Sequence, residues 1–115
     1  LVTVPPDKTA RVFRSLGASP LAADAGGIAA LPAIPDRDEL LALIRRIGND
    51  LESPATAVIP EVEDVLAALE ACPGAAVARI SGAGPTCFAI FDDAATANAA
   101  ATNLSDAHPS WWTVP

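Results

Sequence analysis

The sequence has no methionine, one histidine, two cysteines, and seven basic residues against fourteen acidic ones. Each shortage removes a class of explanation. Cys72 and Cys87 are too few and too widely spaced for a disulfide framework or a zinc signature. Both lie among apolar neighbours, which suits small buried hydrophobes in a reducing compartment. A formal charge of −7 leaves no basic face for nucleic acid. No apolar run approaches the ~18 residues of a membrane span. No basic segment leads into an apolar one as a secretory signal would. The expectation is therefore a cytoplasmic chain with neither a nucleic-acid nor a membrane partner. A start at Leu1 in a chain without methionine reads as a piece of something longer.

What is present is a chain of 115 residues, 51% hydrophobic, which fits one domain around one core. Leu1 to Val4 is a short β-prone run stopped by Pro5 and Pro6. Arg11, Val12, Phe13 and Leu16 follow at helical spacing, and Gly17 ends them. Ser19 to Pro35, rich in alanine, glycine and proline, reads as a loop or a poorly ordered connector. Asp36 with Glu39 three residues on forms a capping box, opening a helix whose apolar stripe is Leu40, Leu43, Ile44 and Ile47. A shorter helical stretch then runs to Pro60, which suits a first helical turn. Glu61, Glu63 and Asp64 favour the positive end of that next helix, and read as a solvated turn rather than a metal site. Its core face is Val62, Val65, Leu66, Leu69 and Cys72, stopped by Pro73-Gly74. Strands are expected over Ala76 to Ile80, Thr86 to Phe91 and Ser110 to Val114, with a helix from Ala94 to Leu104. This element order predicts an α+β fold, a small antiparallel sheet with helices packed on one face.

Between the first two strands stands Ser81-Gly82-Ala83-Gly84-Pro85-Thr86. Two readings apply to it. Backbone N–H groups without chain partners can converge on an anion such as phosphate, and glycine supplies the positive φ and close approach this needs. Alternatively the glycines only turn a hairpin. Asn49 and Asp50 read as a cap and turn for the next helix rather than as catalytic groups. His108, before Pro109, reads as an exposed bystander. Trp111 and Trp112, on opposite faces of the last strand, read as sealing a core edge or packing on a partner domain.

Thr9 ahead of Arg11-Val12-Phe13-Arg14, then Asn49-Asp50-Leu51-Glu52, Pro60-Glu61 and the glycine loop form an ordered set. It resembles the C-terminal half of the 4-diphosphocytidyl-2-C-methyl-D-erythritol kinases, a family of the GHMP superfamily of small-molecule kinases. The resemblance runs from Thr9 to about Phe91 and is weakest in the Ser19–Pro35 connector. It implies that residues 1–115 are a GHMP kinase C-terminal domain with a ferredoxin-like α+β fold. It implies that Ser81, Gly82, Ala83, Gly84, Pro85 and Thr86 lie beside the phosphates, with Thr9 near the substrate. It further implies an ATP- and magnesium-dependent transfer to the 2-hydroxyl of a cytidine-diphosphate-linked methylerythritol, a step of non-mevalonate isoprenoid synthesis.

The family's catalytic aspartate and lysine and its main ATP loop belong to an N-terminal domain, and no G-x-G-G-G-S-S sequence occurs here. The resemblance thus implies no catalytic residue and no metal ligand in this chain, with the chain's own N-terminal domain as its partner and no activity alone. Two positions depart from the family pattern. Asp7 and Lys8 precede Thr9 where Val and Ser are usual, and Ala83 replaces a hydroxyl residue, leaving more of the phosphate binding to backbone N–H groups, Ser81 or Thr86. Another GHMP kinase, or a non-enzymatic ferredoxin-like binding or association module, remains open. A GHMP ATP loop upstream of Leu1 separates the kinases from the module. An apolar face left without its partner domain is expected to drive self-association.

Overall fold

The computed structural model describes residues 3–20, 22, 26, 30, 32–34 and 36–115. Most of the expected Ser19–Pro35 connector lies outside those residues, as do Leu1 and Val2 of the first β-prone run; Thr3 and Val4 are in no strand. Helix α1 spans Lys8–Leu16 and ends where Gly17, at φ 63°, takes the left-handed cap and donates to Arg14 O. Helix α2, Arg37–Ile47, begins where the Asp36 carboxylate accepts the Glu39 N–H at 2.9 Å.

The apolar stripe of α2 differs from the expected one. Leu41 is its buried residue, Leu43 and Ile44 are half-buried, and Leu40 and Ile47 are 41% and 61% exposed. Arg45 gives the reason. Four residues beyond Leu41 and so on the same face, its guanidinium donates to Ala76 O at 2.7 and 3.2 Å and turns that face toward the sheet.

Helices α3, Glu52–Val58, and α4, Glu61–Glu70, meet at Ile59 and Pro60. Strand β1, Ala75–Ile80, pairs antiparallel with β2, Cys87–Phe91, so that Ile80 faces Cys87 and Ala78 faces Ala89, with an irregularity between Ala75 and Val77. Helix α5, Ala94–Ala107, is capped by Asp93, which accepts the Thr96 N–H at 2.7 Å. The result is α+β as expected, with α4 packed on both strands, α2 on β1, α5 on β2 and α1 on α3. One buried cluster joins Val12 of α1, Ala55 of α3, Ile59, Val62 of α4 and Ile80 of β1. It therefore lies directly beneath the loop that leaves β1.

Two expectations fail at the C-terminus. Ser110 to Val114 forms no strand. The turn after α5 instead stacks the Trp111 ring on His108, with centroids 3.8 Å apart and planes 7° from parallel. His108 is accordingly half-buried rather than an exposed bystander. Trp112 is 83% exposed, so it seals no core edge among the described residues.

A candidate phosphate-binding loop

The loop between β1 and β2 is a tight turn in which Ser81 N–H donates to Thr86 O at 2.8 Å and Gly84 N–H donates to Ser81 O at 3.0 Å. Gly82 and Gly84 sit at φ 57° and 68°, a region that side-chain-bearing residues rarely adopt, and the Gly84-Pro85 bond is cis. The two glycines face different surroundings. A Cβ on Gly82 would meet nothing within 4 Å, whereas one on Gly84 would reach Ala55 Cβ at 3.9 Å and Val62 Cγ2 at 4.0 Å. Gly82 is thus open to a ligand, and Gly84 presses the turn onto the core.

The hydrogen bonds of the loop divide by sign. Every carbonyl from Ile80 to Thr86 has a donor. Asn49 Nδ2 donates to Ile80 O at 3.3 Å and to Gly82 O at 2.9 Å. The Lys8 ammonium donates to Gly84 O and approaches Ala83 O at 3.4 Å. The Cys87 thiol approaches Pro85 O at 3.5 Å. Ser81 O and Thr86 O are satisfied inside the turn. The N–H groups of Gly82, Ala83 and Thr86, by contrast, have no acceptor among the described residues. Filled acceptors beside free donors make a surface that attracts an anion. The Lys8 charge adds to it.

Ser81, Gly82 and Thr86 are exposed, so both hydroxyls are available at the same surface. Ala83 is half-buried and packs on the Val12–Ile80 cluster. At this position the side chain serves the core while the backbone N–H stays free, so the missing hydroxyl removes little from the donor set. Thr9 is exposed in the first turn of α1, next in sequence to Lys8.

Of the cap and turn expected of it, Asn49 makes the turn: its Oδ1 accepts the Leu51 N–H at 3.0 Å, while the N-cap of α3 is Leu51 itself, without a side-chain cap bond. Its reach to the loop was missed in the sequence, as was that of Lys8. Both contacts join residues more than thirty positions apart in the chain, and neither residue follows a pattern that points at the loop. Beneath the loop, burial pushes the Cys87 thiol up to about 11, with the Glu52 carboxylate adding to the rise, so this sulfur stays protonated and is no nucleophile. Among the described residues no three His, Cys, Asp or Glu side chains gather as metal ligands do.

The family model described as "GHMP kinases C terminal" matches residues 28–110, which include the whole loop. This chain belongs to that family. Three of its relatives share sequence along 73% to 96% of the chain. It is similar to the 4-diphosphocytidyl-2-C-methyl-D-erythritol kinase of Rhodopseudomonas palustris (strain BisA53), with 47% identity over 110 residues, 90% of this chain and 37% of the relative. It is similar to the enzyme of the same name from Methylobacterium radiotolerans, 47% identical over 113 residues, 96% of this chain and 38% of the relative. The Cereibacter sphaeroides (strain ATCC 17025) enzyme of that name is 47% identical over 91 residues, 73% of this chain and 33% of the relative. The chain therefore spans little more than a third of the length of the curated relatives it matches. No solved structure gives a significant match.

Proposed function

We propose that residues 1–115 are the C-terminal domain of an ATP- and magnesium-dependent kinase acting on the 2-hydroxyl of 4-diphosphocytidyl-2-C-methyl-D-erythritol. In this reading the chain supplies the phosphate-side wall of the cleft, and an N-terminal half supplies the catalytic aspartate and lysine and the main ATP loop. The enzyme works in the cytoplasm, in non-mevalonate isoprenoid synthesis. The observation that carries the reading is the division of the loop into filled carbonyls and three free N–H groups. The shared sequence with kinases of that name supports the substrate class.

Phosphoryl transfer depends on positioning and on neutralising charge on the transferred group. The N–H groups of Gly82, Ala83 and Thr86 and the hydroxyls of Ser81 and Thr86 would hold phosphate oxygens. Gly84 and Pro85 shape the turn, and Thr9 lies near the substrate. Magnesium would be held through the phosphates and the N-terminal half, where it neutralises the charge that develops. Without that half, this chain is expected to self-associate through its uncovered apolar face.

The test is kinetic and uses the full-length kinase that carries this chain. Gly82→Val places a branched side chain at φ 57° in the open space over the free N–H groups. It is expected to raise KM for ATP or for the cytidine-linked substrate at least tenfold, the size of one or two lost hydrogen bonds. Ser81→Ala is expected to give a smaller rise. Unchanged constants for Gly82→Val, in a variant that melts as the parent does, would reduce the loop to a hairpin turn. The 115-residue chain alone should show no ATP-dependent turnover.

A further inference from the structure

The loop's free donors point to a ligand only because its carbonyls are occupied, and the two side chains that occupy most of them come from far along the chain. Asn49 lies between α2 and α3, where its Oδ1 is fixed by the Leu51 N–H. Its Nδ2 group then has a set direction, toward Ile80 O and Gly82 O. Lys8 opens α1 and reaches Gly84 O and Ala83 O. The carbonyls of Gly82, Ala83 and Gly84 have no other donor among the described residues.

A peptide unit carries its N–H and its C=O on opposite sides, so fixing the carbonyl of one residue fixes the N–H of the next. Holding Gly82 O therefore aims the Ala83 N–H. Holding Ile80 O and Gly84 O anchors the two ends of the turn. Gly82 has a φ open to either sign and no packing on the side where its Cβ would be, so nothing intrinsic to it stops a peptide flip. A flip would turn a carbonyl toward the phosphate in place of an N–H.

We infer that Asn49 and Lys8 are positioning residues which clamp the loop, Asn49 aiming the Ala83 N–H at the phosphate and Lys8 anchoring the peptide units on either side of Gly84. The inference rests on the loop binding phosphate, as proposed above. Asn49 is the stricter half of the clamp. Its amide must accept from Leu51 and donate to two carbonyls at once, which neither aspartate nor alanine does. Lys8 presents a flexible ammonium, and arginine at this position keeps a cation with several N–H donors.

In the full-length kinase, Asn49→Asp keeps the acceptor for Leu51 and removes both donated bonds. It is expected to raise KM for ATP or the cytidine-linked substrate about tenfold while the melting temperature stays within a few degrees of the parent. Lys8→Met is expected to act in the same direction, and Lys8→Arg to restore most of the loss. Asn49→Ala should match Asn49→Asp in KM and melt lower, because it also removes the acceptor for the Leu51 N–H. The clamp is overturned if Gly82→Val raises KM while Asn49→Asp and Lys8→Met leave it unchanged. It is also overturned if the Asn49 and Lys8 variants lose activity only in proportion to their folded fraction. If Gly82→Val itself has no effect, the phosphate reading of the loop fails, and the clamp fails with it.

Discussion

Cys87 is the first residue of β2, facing Ile80 across the hairpin and lying close to Glu52. Its thiol is pushed from an ordinary value near 9 up to about 11, by burial first and the Glu52 carboxylate second. A thiol whose pKa is raised by folding stabilises the fold fully below its unfolded value, and that contribution is lost as pH rises through the folded one. The chain is therefore expected to lose melting temperature between about pH 9 and 11. Cys87→Ala should reduce that loss relative to the parent, as thermal melts across the range would show. Parallel pH profiles for the two would rule the sulfur out as a contributor.

At this scale the sequence was informative about type and silent about contact. The unreactive character of Cys87, half-buried rather than fully buried as expected, was legible from its apolar neighbours, and the turn at Asn49 from its place before a helix. That Asn49 and Lys8 meet the glycine loop was not legible. Contacts at such separations depend on how α1 and the α2–α3 turn are set on the core. Ala83, a departure from the family pattern in the sequence, has a plain structural reading once its methyl is seen on the Val12–Ile80 cluster.

Among the elements, starts and stops followed local chemistry. Asp36 and Asp93 cap α2 and α5, Gly17 ends α1, and the two strands lie within a residue of their expected bounds. The junction that leads into the hairpin is the most exacting of these. Gly74 has φ 80°, and a Cβ there would come within 2.9 Å of Thr96 Cγ2 on α5. Gly74→Ala is thus expected to cost more than about 1 kcal/mol, from an unfavourable φ and a contact that must give. Asp36→Ala should cost about 1 kcal/mol through the lost cap. Urea denaturation would measure both, and a Gly74→Ala variant as stable as the parent would mean that the turn relaxes freely. Where the elements depart from expectation, tertiary packing is the cause. Leu41 takes the buried place on α2 because Arg45 fixes the helix rotation against Ala76. The Ser110–Val114 segment has β-prone residues but pairs with no strand among the described residues, and Trp111 settles on His108 instead.

For the molecule as a whole, the core is small. Ten hydrophobic residues are buried among those described, and three of them are alanines. Large apolar side chains remain outside it: Phe88 is 41% exposed, Val114 57% and Trp112 83%. A groove of about 610 Å3 runs along β2 and α5, lined by Val4, Phe88, Phe91, Leu104, Trp111 and Val114 among others. Apolar surface of this extent marks a face that another surface covers. The 115-residue chain is expected to sediment with a concentration-dependent mass, and Trp112→Ser to shift it toward the monomer. A constant monomer mass over a wide concentration range would show that the face tolerates water. The sequence by itself determined the α+β class, the helix caps, the hairpin and the family, because each is written in neighbouring residues or in ordered motifs. Only the tertiary structure decided which loop groups are free. That depends on Lys8 and Asn49 arriving from distant parts of the chain to take the carbonyls, and a linear pattern does not record where distant side chains meet.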